Sequence, residues 1–176
     1  MASQPGRHEE LAPSAWIERF AAHVPAGAPV LDVAAGSGRH SRFFVRRGHP
    51  VVAIDRDTTA LQGMAGIEVL TADLEGGNPW PLGAQRFGGV VVTNYLHRPI
   101  LGAIVAAVAP GGALLYETFA IGNERFGKPS NPDFLLRPGE LLEAVRGRLR
   151  VIAYEDLEIS SPRPAMVQRI AAVNRS

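Results

Sequence analysis

The segment Val30-Leu-Asp-Val-Ala-Ala-Gly-Ser-Gly-Arg-His-Ser41 constrains the fold of this chain more than any other. An apolar run from Pro29 to Ala34 carries one acid, Asp32, and closes on Gly36-Ser-Gly38. A helix is expected next, from Gly38 to Arg47, ended by Gly48. A buried strand entering a tight turn and then a helix is the opening of a βαβ unit. Glycine tolerates positive φ and lets backbone come close to a ligand. The first turn of the helix presents N–H groups with no intrahelical partner, which suit a phosphate or a carboxylate. Asp32 places a negative charge beside them, so a ligand with both an ammonium and a carboxylate satisfies both groups.

The alternation continues along the chain. Pro50 to Asp55 and Ile67 to Asp73 repeat the pattern of apolar run then acid, with a short helix expected around Ala60. Gly89 to Asn94 reads as a fourth strand, Pro99 to Ala109 as a helix and Gly112 to Glu117 as a fifth strand, with Pro110-Gly-Gly112 separating the last two. Before all of these, Trp16, Ile17, Phe20, Ala21 and Val24 recur at helical spacing, predicting a helix over 14–24 that Ser14 caps. It is expected against the sheet edge or over the cofactor. Residues 1–13 read as a flexible tail and 14–28 as the helix and its linker. Phe119 to Leu136 has no period and is rich in glycine and proline, so it reads as a long functional loop, a lid. Pro138 and Glu140 open a helix ending near Gly147. Two strand-like runs follow, Leu149 to Ile159 and Ala165 to Val173, joined without a helix and so antiparallel, whereas the earlier crossovers require parallel pairing. The fold class is therefore α/β: one Rossmann-like domain spanning residues 1–176, with about seven strands, mostly parallel, a C-terminal antiparallel hairpin and helices on both faces.

Three acids end three successive strands. Asp55 lies 19 residues after Gly36, where an acid accepts hydrogen bonds from ribose hydroxyls. Asp73 follows at the third strand, placed to accept from an adenine amino group. With these residues in place, the chain resembles the class I S-adenosylmethionine-dependent methyltransferases from about Val30 to Val173, and among them the small tellurite-resistance-type enzymes. The resemblance implies S-adenosyl-L-methionine as cofactor, with S-adenosyl-L-homocysteine as product. It implies that Asp32, Gly36 and Gly38 line the methionine and ribose part, that Asp55 holds the ribose, and that Asp73 and Leu74 hold the adenine, with Ala34 and Arg56 as further cofactor-binding residues. By the same resemblance Asn94 opens the loop facing the sulfonium; His40, in the first turn of the glycine-loop helix, either touches the cofactor carboxylate or faces solvent. The chain departs from the family pattern in two places. Ala34 replaces a usual glycine, and Gly88 stands where an acid is usual near the start of the fourth strand, a difference that bears on stability more than on binding.

The acceptor is expected at the end of the fourth strand, where the sheet order reverses, within Asn94-Tyr-Leu-His-Arg-Pro99. His97 is the candidate general base, since histidine changes charge near neutral pH, and Tyr95 is a second catalytic candidate. Each also has a structural reading, His97 as a helix cap or packing group. Arg98, Tyr116, Glu117 and Arg125 are candidates for binding the acceptor, a small molecule or anion, although Glu117 can equally pair with an arginine. His8, His23 and His49 have no acid or histidine at ligand spacing, so no metal is expected.

Composition narrows the classes further. The 18 basic residues are interspersed with 17 acidic ones for a net charge of +1, which gives no electrostatic footprint for nucleic acid. There are no cysteines, which excludes disulfides, thiolate metal sites and a cysteine nucleophile and agrees with a reducing, cytoplasmic setting. Met1 to Leu11 has no apolar stretch, so neither a signal peptide nor a membrane anchor is expected there. Monomer and homodimer stay open. Two rivals remain. A nicotinamide-dependent oxidoreductase shares the glycine turn and the second-strand acid, but its fingerprint wants a third glycine where this chain has Ser41, and Asp32 would face a pyrophosphate. A non-catalytic S-adenosylmethionine-binding regulatory module is the other.

Overall fold

The computed structural model describes residues 11–175, so His8 and most of the expected tail lie outside the described residues. The strands are β1 Val30–Val33, β2 Val51–Asp55, β3 Ile67–Thr71, β4 Phe87–Thr93, β5 Val108–Phe119, β6 Arg150–Ile159 and β7 Ala165–Val173. The α-helices are α1 Ala15–Phe20, α2 Arg39–Arg46, α3 Leu101–Ala106 and α4 Glu140–Val145. The strands form one sheet in the order β3-β2-β1-β4-β5-β7-β6. The pairs β1 with β2, β1 with β4, β2 with β3 and β4 with β5 are parallel, while β7 runs antiparallel to both β5 and β6. The order reverses between β1 and β4, and ligands of open α/β sheets bind beyond the carboxyl ends of the strands at that point.

Period-two alternation assigns the two faces. Leu31, Val33, Val52, Ile54, Val90, Val92, Leu114 and Tyr116 point to one face and pack with Ile104 and Val105 of α3 and Leu141 and Val145 of α4. Val30, Val51, Val91, Ala113 and Leu115 point to the other and pack with Trp16, Ile17 and Phe20 of α1 and Phe44 of α2. Each such large apolar side chain contributes about 1.5 to 3 kcal/mol on burial. Asp32 sits on the second face, between Leu31 and Val33, and is therefore carried under α2 rather than out to solvent.

Four expectations are corrected. The first helix is one α-helical stretch, Ala15–Phe20, continued by a 3₁₀ turn, Ala21–His23. It packs over β5 and β7, next to the edge strand β6: Trp16 Nε1 donates to the Ile170 carbonyl on β7 at 3.2 Å, and Arg19 pairs with Glu155 on β6 at 3.9 Å. Ser14 caps it as expected, accepting from Trp16 N–H. Pro110-Gly-Gly112 does not separate a helix from a strand. It lies inside β5, because the Asn174 carbonyl accepts from Gly111 N–H and Asn174 N–H donates to the Gly112 carbonyl, so a partner strand satisfies the turn-prone backbone. The helix before it stops at Ala106. The stretch from Phe119 to Leu136 contains 3₁₀ turns at Asn123–Arg125 and Pro132–Phe134, and a bridge between Ala120 and Leu136 ties its ends together.

Both departures from the family pattern have structural counterparts. A Cβ built on Gly88 comes 2.3 Å from the Ala28 Cβ, so this backbone has no room for an acid, or for any side chain, at the start of β4. Ala34 adopts φ 53°, the left-handed region where an L side chain costs about 1 to 2 kcal/mol. Glycine would escape that cost but lose more backbone entropy on folding. Ala34→Gly is therefore expected to raise stability by roughly 0.5 to 1 kcal/mol. The urea midpoint should rise at unchanged slope. A lower midpoint would mean that the strain is relieved in some other way.

Candidate functional site

A cleft of about 280 Å³ opens at the carboxyl ends of β1 to β4, lined by Ala34, Asp55, Arg56, Ala72, Asp73, Leu74, Glu75, Tyr95 and Phe134. It brings together six residues singled out from the sequence: Ala34, Asp55, Arg56, Asp73, Leu74 and Tyr95. Ala72, Glu75 and Phe134 are additions. Ala72 and Glu75 flank an expected residue, so proximity to Asp73 was their signal. Phe134 arrives from the distant loop after β5, and no local pattern announced it.

The glycine turn lies beside this cleft: Ala34 lines it, while Gly36 and Gly38 do not. Gly36 and Gly38 have φ of 55° and 78°, and a Cβ on Gly38 would lie 2.5 Å from Leu61 Cδ2, so both conformation and packing call for glycine at Gly38. Asp32 is only 2% exposed and accepts from the Ser41 hydroxyl at 2.7 Å. Burial pushes its carboxyl up to about 6, against the Ser41 hydrogen bonds and the Arg39 charge, which favour ionisation. His40 is also 2% exposed and does not line the cleft. Its Nε2 accepts from Ser14 N–H at 3.0 Å, which puts the ring proton on Nδ1, 3.3 Å from Thr93 Oγ1. Burial, then the Arg39 charge, drives it down to about 3, so this is a neutral packing histidine that ties the start of α1 to α2.

Asp55 braces the turn, since Oδ2 accepts from Gly36 N–H at 2.8 Å and Oδ1 from Asp57 N–H at 3.0 Å. Each carboxylate oxygen has a second lone pair for a ligand hydroxyl. Asp73 is exposed and accepts from Glu75 N–H at 2.9 Å. Tyr95 closes the cleft opposite. Its hydroxyl is buried without a hydrogen-bond partner among the described residues. Burial, with the nearby Glu75, Asp73 and Asp55 carboxylates, pushes it up to about 12, so it stays protonated. Asn94 precedes it at φ 53°, and its N–H donates to the Glu117 carbonyl. Asn accepts this conformation more readily than other L residues.

The residues expected on the acceptor side divide. His97 is half-buried, and its ring has no hydrogen-bond or ionic partner among the described residues; it does not line the cleft. Arg98 turns inward. Its Nε donates to Glu140 Oε1 at 2.7 Å, and Nη1 and Nη2 donate to the Asp133 and Leu135 carbonyls at 2.9 and 2.8 Å. Burial works against the Glu140 charge, but hydrogen bonds from Arg98 and Arg137 outweigh it and hold the carboxyl down at about 2. Tyr116 is 1% exposed and donates to the Tyr95 carbonyl at 2.7 Å, so it supports the loop from beneath. Glu117 takes its arginine: Arg169 Nη1 donates to it at 3.0 Å and the Ser14 hydroxyl at 2.7 Å. Arg125 donates to the Gly122 carbonyl and pairs with Glu158 at 3.5 Å, away from the cleft. Among the described residues no group of three or more His, Cys, Asp or Glu is placed to hold a metal ion, and no helix is long and apolar enough to cross a membrane.

No family model and no curated protein matches the sequence. Solved structures do resemble it. The Burkholderia thailandensis 1,6-didemethyltoxoflavin-N1-methyltransferase, solved with 1,6-didemethyltoxoflavin and S-adenosylhomocysteine, aligns at TM-score 0.65 and 19% identity over 92% of this chain and 77% of that one. TehB from Haemophilus influenzae aligns at 0.68 and 17% identity over 88% of this chain and 60% of its own length. A TehB-like S-adenosylmethionine-dependent methyltransferase from Corynebacterium glutamicum aligns at 0.64 and 19% identity, covering 90% and 86%. At these identities the likeness is one of architecture, and with the sheet order and the strand-end cleft it means that the chain has the Rossmann-like fold of the S-adenosylmethionine-dependent methyltransferases.

Proposed function

We propose that this chain is an enzyme that binds S-adenosylmethionine in the cleft and transfers its methyl group to a small acceptor at the carboxyl ends of β4 and β5. One observation carries the reading: Tyr95, whose buried hydroxyl has no hydrogen-bond partner among the described residues, lines a cleft that also presents the strand-end carboxylates of Asp55 and Asp73. An unmet buried polar group costs about 1 to 3 kcal/mol, and a polar ligand there removes that cost. The donor set fits an adenosine. Asp55 would take the ribose hydroxyls, Asp73 and Leu74 the base, and the Gly36 to Gly38 turn with the start of α2 the amino-acid end. When bound, the cofactor supplies a methyl group already activated on a sulfonium.

The residues of the chain then have three tasks, to orient, to exclude water and, where the acceptor needs it, to remove a proton. Alignment of reactants supplies about 7 to 11 kcal/mol of a barrier. His97, whose ring has no partner among the described residues and which lies three residues past Asn94, is the group available to take a proton. Arg98, Tyr116 and Glu117 support the site as positioning residues, because their polar atoms are already engaged within the fold. Direct displacement from a sulfonium requires no metal. The fold neighbour solved with 1,6-didemethyltoxoflavin and S-adenosylhomocysteine favours a small-molecule acceptor, and a cytoplasmic setting completes the reading.

Titration calorimetry tests the cofactor. S-adenosylmethionine and S-adenosylhomocysteine should bind more tightly than NAD, and the reverse order would favour the oxidoreductase reading. Asp55→Ala should weaken S-adenosylhomocysteine by about 1.5 to 3 kcal/mol, the range for a hydrogen bond to a charged group. A folded mutant with native affinity would take Asp55 out of the site. Methyl transfer from labelled cofactor to a panel of anions, thiols and heteroaromatic metabolites separates an enzyme from a module that only binds.

A further inference from the structure

We infer that Phe134 is a stacking wall for the adenine of the bound cofactor, and that Arg98 is the positioning residue that holds it there; this rests on the cofactor reading above. Phe134 belongs to the 3₁₀ turn Pro132–Phe134, yet it lines the same cleft as Asp73, Leu74 and Tyr95. The residue is 45% exposed. An exposed phenylalanine alone means little. What distinguishes this one is that the backbone on both sides of it is clamped by a single side chain. Arg98 donates to the carbonyl of Asp133 and to that of Leu135, the two residues flanking Phe134, while the remainder of its fork is held by Glu140 at 2.7 and 3.0 Å.

The clamp is reinforced from both directions. Asn131 Oδ1 accepts from Asp133 N–H at 3.0 Å, and Leu135 is buried to 1% exposure immediately after the exposed ring. A rigid turn that holds an aromatic ring half in solvent, facing a cleft, is a prepared surface. Binding then loses little conformational freedom, which is how preorganised sites gain affinity. Adenine presents a flat π-face, and stacking on an aromatic side chain is tolerant of the ring's edge groups. Asp73 is left to address the edge of the base. The arrangement also gives the guanidinium of Arg98 a use other than binding an anionic acceptor. The loop after β5, expected to cover the acceptor, thereby builds part of the cofactor pocket.

The test titrates S-adenosylhomocysteine and adenosine into the full chain. Phe134→Ala should lower both affinities by the same factor, about tenfold. Its melting temperature should hold, because the ring packs against no core. Phe134→Tyr should restore binding and Phe134→Leu should not, which separates stacking from the filling of apolar space. Arg98→Lys keeps the charge but loses the fork, and it should weaken adenosine comparably, with no further loss when combined with Phe134→Ala. Native affinity in Phe134→Ala, or a loss confined to S-adenosylhomocysteine, overturns the inference and leaves the cofactor reading intact. Failure of the unmodified chain to bind either ligand overturns both.

Discussion

Asp32→Asn should make the ligand-free protein more stable at pH 7.5, by about 3 kcal/mol, and should expose a pH dependence that the unmodified chain conceals. Burial under α2 raises the folded-state value of Asp32 to about 6 from 3.8. Between those values the folded chain holds a proton that the unfolded chain has released, so this group's contribution falls as pH rises. Burial lowers His40 from 6.5 to about 3. There the unfolded chain holds the extra proton, so the His40 contribution falls as pH drops. Each slope is about 1.4 kcal/mol per pH unit, the signs oppose, and between about pH 4 and 6 they cancel. Asparagine at position 32 can still accept from Ser41, but it leaves His40 unopposed, and stability should fall by about 1.4 kcal/mol per unit from pH 6 to 4. His40→Gln should show the reverse slope. Urea midpoints from pH 4 to 7.5 provide the check, and an Asp32→Asn profile parallel to the unmodified one would refute the opposed pair. Within the cofactor reading, a buried acid beside a ligand-binding turn is where a chain gives up stability for function.

His97→Ala should lower methyl-transfer turnover by about 10²-fold to 10⁴-fold with little change in cofactor affinity, if proton removal from the acceptor accompanies the displacement. The cleft is built from other residues, so cofactor binding has no reason to respond, and the ring has no hydrogen bond to lose among the described residues. An acceptor that arrives as an anion needs no base, and its rate in the mutant should stay native. Native rate with every protonated acceptor would make His97 structural.

Much of this protein was legible in its sequence because strand, turn and helix signals are local. Alternation of apolar residues and the glycine punctuation place β1, β2, β3 and β7 at or within two residues of the expected bounds, and the helix-free link before β7 predicted its antiparallel pairing. The acids Asp55 and Asp73 were legible as cleft residues because a strand's carboxyl end always faces the crevice in a parallel sheet. The partners of the remaining polar groups were not. Arg98 and Glu117 carry the same charges in a ligand site as in an internal ion pair, and only contacts with Glu140 and Arg169, 42 and 52 residues away, decide between the two. The sequence by itself therefore determined the order of elements, the parallel sheet with its terminal hairpin and the strand-end acids, all set by short-range periodicity and steric rules. Only the tertiary structure decided that Asp32 and His40 are buried, that Arg98 clamps a loop, and that Phe134 reaches the cleft, because burial and hydrogen-bond satisfaction depend on which distant segments pack together.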